Sequence, residues 1–221
     1  KGEFTVFGGL SDIIEFIESS WGLNISLFPV QRVILKAHYG LALDDTVHDV
    51  VVTDWRRENP QKLTEAGYLR KLYAEGRSNI KEVEPGRQRR ELVLSIGRRS
   101  GKTFLCACVV AYEVYKLILK DNPQSYYGIP KTNVIQLISV ATDKDQAGLL
   151  YNEASGHFSN CAFYKPYTAN NTMSYAKFQS PEDIKRFGRY VDDPTAKATI
   201  KVSFKSCVAK GLRGAGNIVI I

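Results

Sequence analysis

An α/β fold with a central, mainly parallel sheet flanked by helices is what this sequence predicts, and three observations predict it. Two apolar runs of strand length, Leu92 to Ile96 and Asn133 to Ala141, are each followed by a turn and a helical pattern, the first over Phe104 to Lys120 and the second opening at Thr142-Asp-Lys-Asp145. Strand, helix, strand, helix in succession argues for parallel strands joined by right-handed crossovers. A third apolar run, Asn217 to Ile221, has the composition of another buried strand. Upstream the patterns are helical, which predicts an N-terminal helical subregion over residues 1–85 and an α/β core over 86–221.

Composition narrows the classes. With 221 residues the chain can bury a sizeable core as one large domain with a helical appendage, and 44% hydrophobic with 24% charged residues excludes a disordered chain. The net charge of +7 favours contact with polyanions without demanding it. Cys106, Cys108, Cys161 and Cys207 form no C-x-x-C pair and read as reduced, buried structural thiols of a cytosolic protein. Neither a secretory signal pattern nor an uninterrupted apolar span of membrane length is visible, so no membrane association is expected.

In chain order, Leu10 to Trp21 interleaves Ile13, Ile14, Phe16 and Ile17 with acidic residues and predicts an amphipathic helix capped by Ser11. Phe28 to Gly40 predicts a second helix, with Pro29 at its first position and Gly40 just past its end. Val30, Val33, Ile34 and Ala37 are its expected buried face, leaving Gln31 and Arg32 at the side for other work. Residues 41–63 are mixed, with a short β-like run Val50-Val51-Val52. Thr64 to Glu75 predicts a helix using Ala66, Leu69, Leu72 and Tyr73 for one face and Gly76 as a stop. Gly86-Arg-Gln-Arg-Arg90 reads as a charged turn ahead of the first strand. Phe104 to Lys120 is apolar nearly all round and predicts a core helix on the sheet, ended by Asp121 to Ser125. Thr142 is the expected cap of the next helix. Ser159 to Pro181 reads as loops and short elements, Glu182 to Arg189 as a short helix, and Ala198 to Cys207 as a half-exposed strand with one basic face.

The chemistry is concentrated at the end of the first strand. Leu92, Val93, Leu94 and Ile96 suit a strand buried on both faces, Gly97 and Gly101 permit a tight turn, and Lys102-Thr103 open the core helix. Such a loop is a phosphate cradle, and it predicts a P-loop NTPase: backbone amides and a Lys ammonium hold nucleotide phosphates while a Thr hydroxyl reaches Mg²⁺. The pattern G-x-x-x-x-G-K-[ST] asks for glycine at position 96, where this chain has Ile96; its first glycine comes one residue later.

With these motifs assembled, the sequence resembles the N-terminal ATPase domain of the large terminase subunit of tailed bacteriophages. Four features carry the resemblance: the loop Gly97-Arg-Arg-Ser-Gly-Lys-Thr103 with an arginine at Arg98, the stretch Phe28-Pro-Val-Gln-Arg32 similar to an adenine-binding motif, the step Ala141 to Ala147, and Gly211-Leu-Arg-Gly214 ahead of the terminal strand. The resemblance implies ATP and Mg²⁺ as cofactors, with Lys102 and Arg98 catalytic. Gly97, Arg99, Ser100, Gly101, Lys102 and Thr103 would cradle the phosphates, Thr103 would ligate the metal, Gln31 and Phe28 would meet the adenine, and Arg213 would contact phosphate. It implies a motor that packages double-stranded DNA into proheads in the host cell cytoplasm, as a homo-oligomeric ring with a portal protein and a small terminase subunit as partners. The family's acidic pair would follow Ile221, so the chain is expected to be truncated there, to lack the nuclease domain of complete large terminases and to hydrolyse little by itself. A P-loop helicase or other nucleic-acid translocase, and a nucleotide-binding module without hydrolysis, are the alternatives.

Overall fold

The computed structural model describes residues 10–53, 59–97, 100–131, 133–206 and 218–220. The chain divides into two compact units, one of Lys1–Ser11, Ser19–Asn24 and Arg99–Ile221, the other of Asp12–Glu18 and Ile25–Arg98.

The smaller unit is helical with a two-stranded ribbon. Helix α1 (Ile13–Glu18) buries Ile13, Phe16 and Ile17, and the Asp12 side chain, rather than Ser11, caps it by accepting from Glu15 N–H at 2.9 Å. Helix α2 (Pro29–Tyr39) starts with its proline and stops on Gly40, whose φ of 68° is left-handed. Its fully buried aliphatic is Leu35 alongside Val33, whereas Val30 and Ile34 are only half-buried. Gly40 also faces a close backbone crossing: a Cβ there would meet the Arg87 backbone at 2.6 Å, and Gly86 N–H donates to the Gly40 carbonyl at 2.8 Å.

Strands β1 (Val50–Val52) and β2 (Gln61–Leu63) pair antiparallel, and helix α3 (Glu65–Ala74) follows with the Thr64 hydroxyl accepting from Gly67 N–H. Val33, Val50, Tyr68 and Leu69 form one small core cluster of this unit; Tyr68 is buried in place of the expected Tyr73, which is 45% exposed. A buried carboxylate pins the arrangement. Glu65 Oε2 accepts from Lys36 Nζ at 2.6 Å and from Asp44 N–H at 2.9 Å.

The larger unit contains helix α4 (Lys102–Leu119), short helix α5 (Pro123–Tyr126), strand β3 (Ile135–Ala141) and helix α6 (Lys144–Asn160). A 3-10 turn at Ala162–Tyr164 leads into the hairpin β4 (Thr168–Asn171) and β5 (Tyr175–Phe178). Helix α7 (Pro181–Phe187) and strands β6 (Ile200–Ser206) and β7 (Ile218–Ile220) complete it. The five-stranded sheet runs β4-β5-β6-β3-β7, with β6 and β7 parallel to β3 while β4-β5 and β5-β6 are antiparallel. The sheet is therefore mixed rather than mainly parallel, because Ser159 to Pro181, expected as loops and short elements, supplies a hairpin that pairs antiparallel with β6.

Helices α4 and α6 pack on each other, and α6 lies against β3 and β6. Val110 of α4, Leu137 of β3, Leu150 of α6 and Val202 of β6 surround one small cavity. Tyr115 sits at the centre of an aromatic group with Trp21, Tyr112 and Phe163. Asp143, not Thr142, caps α6 by accepting from Asp145 N–H. Ser180 and Asp183 form a reciprocal cap on α7, and Asp183 also accepts from Thr199 Oγ1 at 2.6 Å. No helix of the described residues is long and apolar enough to cross a membrane.

One expectation fails outright. Residues 91–97 form no strand, and Val93 is 87% exposed where a buried position was expected. A strand exists only through a ladder of hydrogen bonds to a neighbouring strand, and neither of the two sheets of the described residues includes this run; β3 is flanked by β6 and β7.

Candidate nucleotide site

The helical half of the cradle is in place. Gly101 takes a φ of 75° immediately before α4, a left-handed turn open to glycine, and its carbonyl accepts from Leu105 N–H at 2.9 Å. Lys102 and Thr103 thereby become the first two helical residues, Lys102 half-buried and Thr103 exposed. First-turn amides of a helix have no acceptor within it, and the helix dipole puts partial positive charge at the same end. Amide donors, an ammonium and one hydroxyl side by side form a donor set for an anion that brings a hard cation with it.

The helix carrying these residues is held from its second turn onward. Cys108 Sγ approaches His157 Nε2 of α6 at 3.8 Å, and the Phe104 ring meets the His157 ring edge-on at 6.2 Å. Burial pushes the Cys108 thiol up to about 12, which makes it inert packing rather than a nucleophile. Burial also raises the Cys106 thiol, with the Lys102 ammonium opposing. His157 is pulled below its ordinary value by burial, with Glu153 opposing, so the neutral imidazole is favoured in the fold. Cys106, Cys108 and Cys161 are free thiols, the last two buried as expected and Cys106 only half-buried, while Cys207 lies outside the described residues.

The strand half of the cradle differs from expectation. Gly97 and Ser100 are exposed, and the space where a Gly97 side chain would stand is open, so no close contact demands glycine there. Arg98 and Arg99, Arg213, and the turn Gly211 to Gly214 with Asn217 lie outside the described residues.

Gln31 and Phe28 belong to the smaller unit, whereas Ser100, Gly101, Lys102 and Thr103 belong to the larger one. Within its own unit Gln31 has a defined position: its Oε1 accepts from Phe28 N–H at 3.0 Å at the start of α2. Phe28 itself is 74% exposed, so it is not the core residue its apolar character allows. Arg32 is not at liberty as expected. Its guanidinium binds both carboxylate oxygens of Glu18, at 2.8 and 2.9 Å through Nη2, and so ties α2 to α1.

A left-handed glycine opening a long buried helix on Lys-Thr, ahead of parallel strands, supplies the glycine-to-helix half of a P-loop. Over residues 10–196 the chain matches the family described as "Uncharacterized protein MJ0330, N-terminal P-loop domain", and it belongs to that family. No curated protein and no solved structure matches it.

Proposed function

We propose that this chain is an ATP-hydrolysing motor domain of the large-terminase type, coupling ATP hydrolysis to packaging of double-stranded DNA. The observation that carries the reading is the turn at Gly101, which sets Lys102 and Thr103 at the positive end of α4. In this reading Lys102 neutralises charge on the β- and γ-phosphates, the amides beside it hold the phosphate oxygens, and Thr103 ligates the magnesium ion. A magnesium ion held by Thr103 would supply Lewis-acid charge neutralisation. Gln31 and Phe28 are the proposed adenine contacts, Phe28 through its exposed ring and Gln31 through its amide nitrogen, since its oxygen caps α2. Arg98 is the proposed catalytic arginine. DNA, a portal protein, a small terminase subunit and a homo-oligomeric ring are the partners this reading entails, in the host cytoplasm.

The test is binding of a fluorescent ATP analogue with magnesium, comparing the chain with Lys102→Ala. Loss of at least about tenfold in affinity, with an unchanged melting temperature, is expected from removing a charged phosphate contact. Undiminished affinity would reduce the loop to a passive turn and overturn the reading.

A further inference from the structure

The sheet of the larger unit carries cations where a sheet should avoid them. Phe204 of β6 packs against Tyr151 of α6, with ring centroids 5.5 Å apart. Side chains alternate along a strand, so Lys201, Ser203 and Lys205 point to the other face. In the ladder, Lys201 stands directly opposite Lys177 of β5, and like charges in register destabilise a strand pair.

The two lysines share one aromatic ring. Lys177 Nζ lies 5.4 Å and Lys201 Nζ 5.3 Å from the centroid of Tyr175. The ring offsets part of the repulsion. The register extends the row on both sides, with Asn170 of β4 opposite Lys177 and Gln136 of β3 opposite Lys201. Four strands thus contribute Asn170, Lys177, Lys201 and Gln136 to one line of hydrogen-bond donors about 14 Å long, from a strand spacing of about 4.8 Å.

No Asp or Glu occurs in β3, β4, β5 or β6 to balance it. Burial and the neighbouring Lys177 and Lys205 pull the Lys201 ammonium below its ordinary value, in keeping with crowded positive charge. One row further along this face Ser203 and Ile138, in register with each other, are buried, whereas Asn170, Lys177, Lys201 and Gln136 are all half-buried, so the accessible part of the face is the row itself.

We propose that this row is a docking surface for the phosphate backbone of duplex DNA, with Lys177 and Lys201 as its two phosphate contacts and Asn170 and Gln136 as flanking donors. The partner follows from the chemistry. Two adjacent cations flanked by neutral donors, with no base-reading arrangement, complement the dense negative charge of a phosphate backbone rather than any base edge. The proposal rests on the reading of the chain as a DNA-acting ATPase, and it assigns that reading a contact face.

The experiment is fluorescence anisotropy of a labelled random-sequence DNA duplex across a salt series, without nucleotide, for the 221-residue chain and Lys177→Gln/Lys201→Gln. Removing two phosphate contacts is expected to lower the slope of log affinity against log salt by about 1.8 and to weaken binding about 10- to 100-fold near 0.1 M salt. Lys177→Arg/Lys201→Arg should keep the slope. Because a like-charged pair is removed, the Gln variant should melt no lower than the parent, which separates lost contact from lost fold. An unchanged slope in the Gln variant, or a slope lost equally in the Arg variant, overturns the proposal. ATP-analogue binding by the same variants should be unaltered. A failed salt test with intact nucleotide binding removes the DNA face alone, whereas intact DNA binding with no Lys102-dependent nucleotide binding removes the motor reading alone.

Discussion

The two sides of the junction between Arg98 and Arg99 have similar apolar content and opposite fates. Leu92, Val93, Leu94 and Ile96 run extended without a ladder, exposed or only half-buried, while Leu105 to Ile118 form a helix with ten buried residues. Hydrophobicity does not separate them. A helix closes its own backbone hydrogen bonds and needs only a surface to lie on, whereas a strand needs a particular neighbour along its edge. An apolar run of helix length therefore declares its structure locally, and one of strand length does not.

The sharpest break of this contrast is a large-to-small change on the helical side. Tyr115 is fully buried and contacts Trp21, Tyr112 and Phe163, so Tyr115→Ala should destabilise the larger unit by about 3–5 kcal/mol, measured by denaturant unfolding. A cost under about 1 kcal/mol would mean that α4 is not anchored as described.

A smaller effect probes how α4 is held to α6. His157 has a folded-state value below its ordinary 6.5, so the unfolded chain binds the extra proton first. Its contribution is complete above about pH 6.5 and is lost as pH falls from there through the folded value. The melting temperature should drop between pH 7 and pH 5 more steeply in the parent than in His157→Gln. Equal slopes would place the imidazole in water. Asp44, Asp45, Glu75, Glu84 and Asp193, lowered first of all by hydrogen bonds, titrate further into acid, and the comparison with His157→Gln cancels every group the two proteins share.

The smallest effect lies on the extended side. Val93→Ala should change stability by no more than about 0.5 kcal/mol, because an 87% exposed side chain has little burial to lose. A loss of 2 kcal/mol or more would show that the run is buried in the working protein and would restore the expected strand.

Legibility followed the same physics. Proline at the start and glycine past the end bounded α2, and the all-round apolar pattern found α4 to within two residues at its start. Caps were misassigned by one residue at Ser11 and Thr142, since Asp12 and Asp143 offer equivalent oxygens next door. The β4-β5 hairpin was missed although Tyr175-Ala-Lys-Phe178 alternates half-buried and buried residues; four residues are too few for a period to stand out. The start of α4 at Gly101, Lys102 and Thr103 was readable because a helix start is a local event. The like-charged pair of Lys177 and Lys201 was not readable, because strand register joins residues 24 positions apart.

The way the chain threads its two units has a practical consequence for dissecting it. It passes between them four times, at 11–12, 18–19, 24–25 and 98–99, so a single cut after Arg98 leaves the smaller unit whole but carries 1–11 and 19–24 of the larger unit away with it. The resulting N-terminal fragment would still hold Ser11, whose carbonyl accepts from Tyr112 Oη at 2.8 Å, and Trp21, which contacts Tyr115 in the other fragment. The two pieces should therefore co-elute in native buffer and part only in denaturant, which makes the chain a natural substrate for split-protein reassembly.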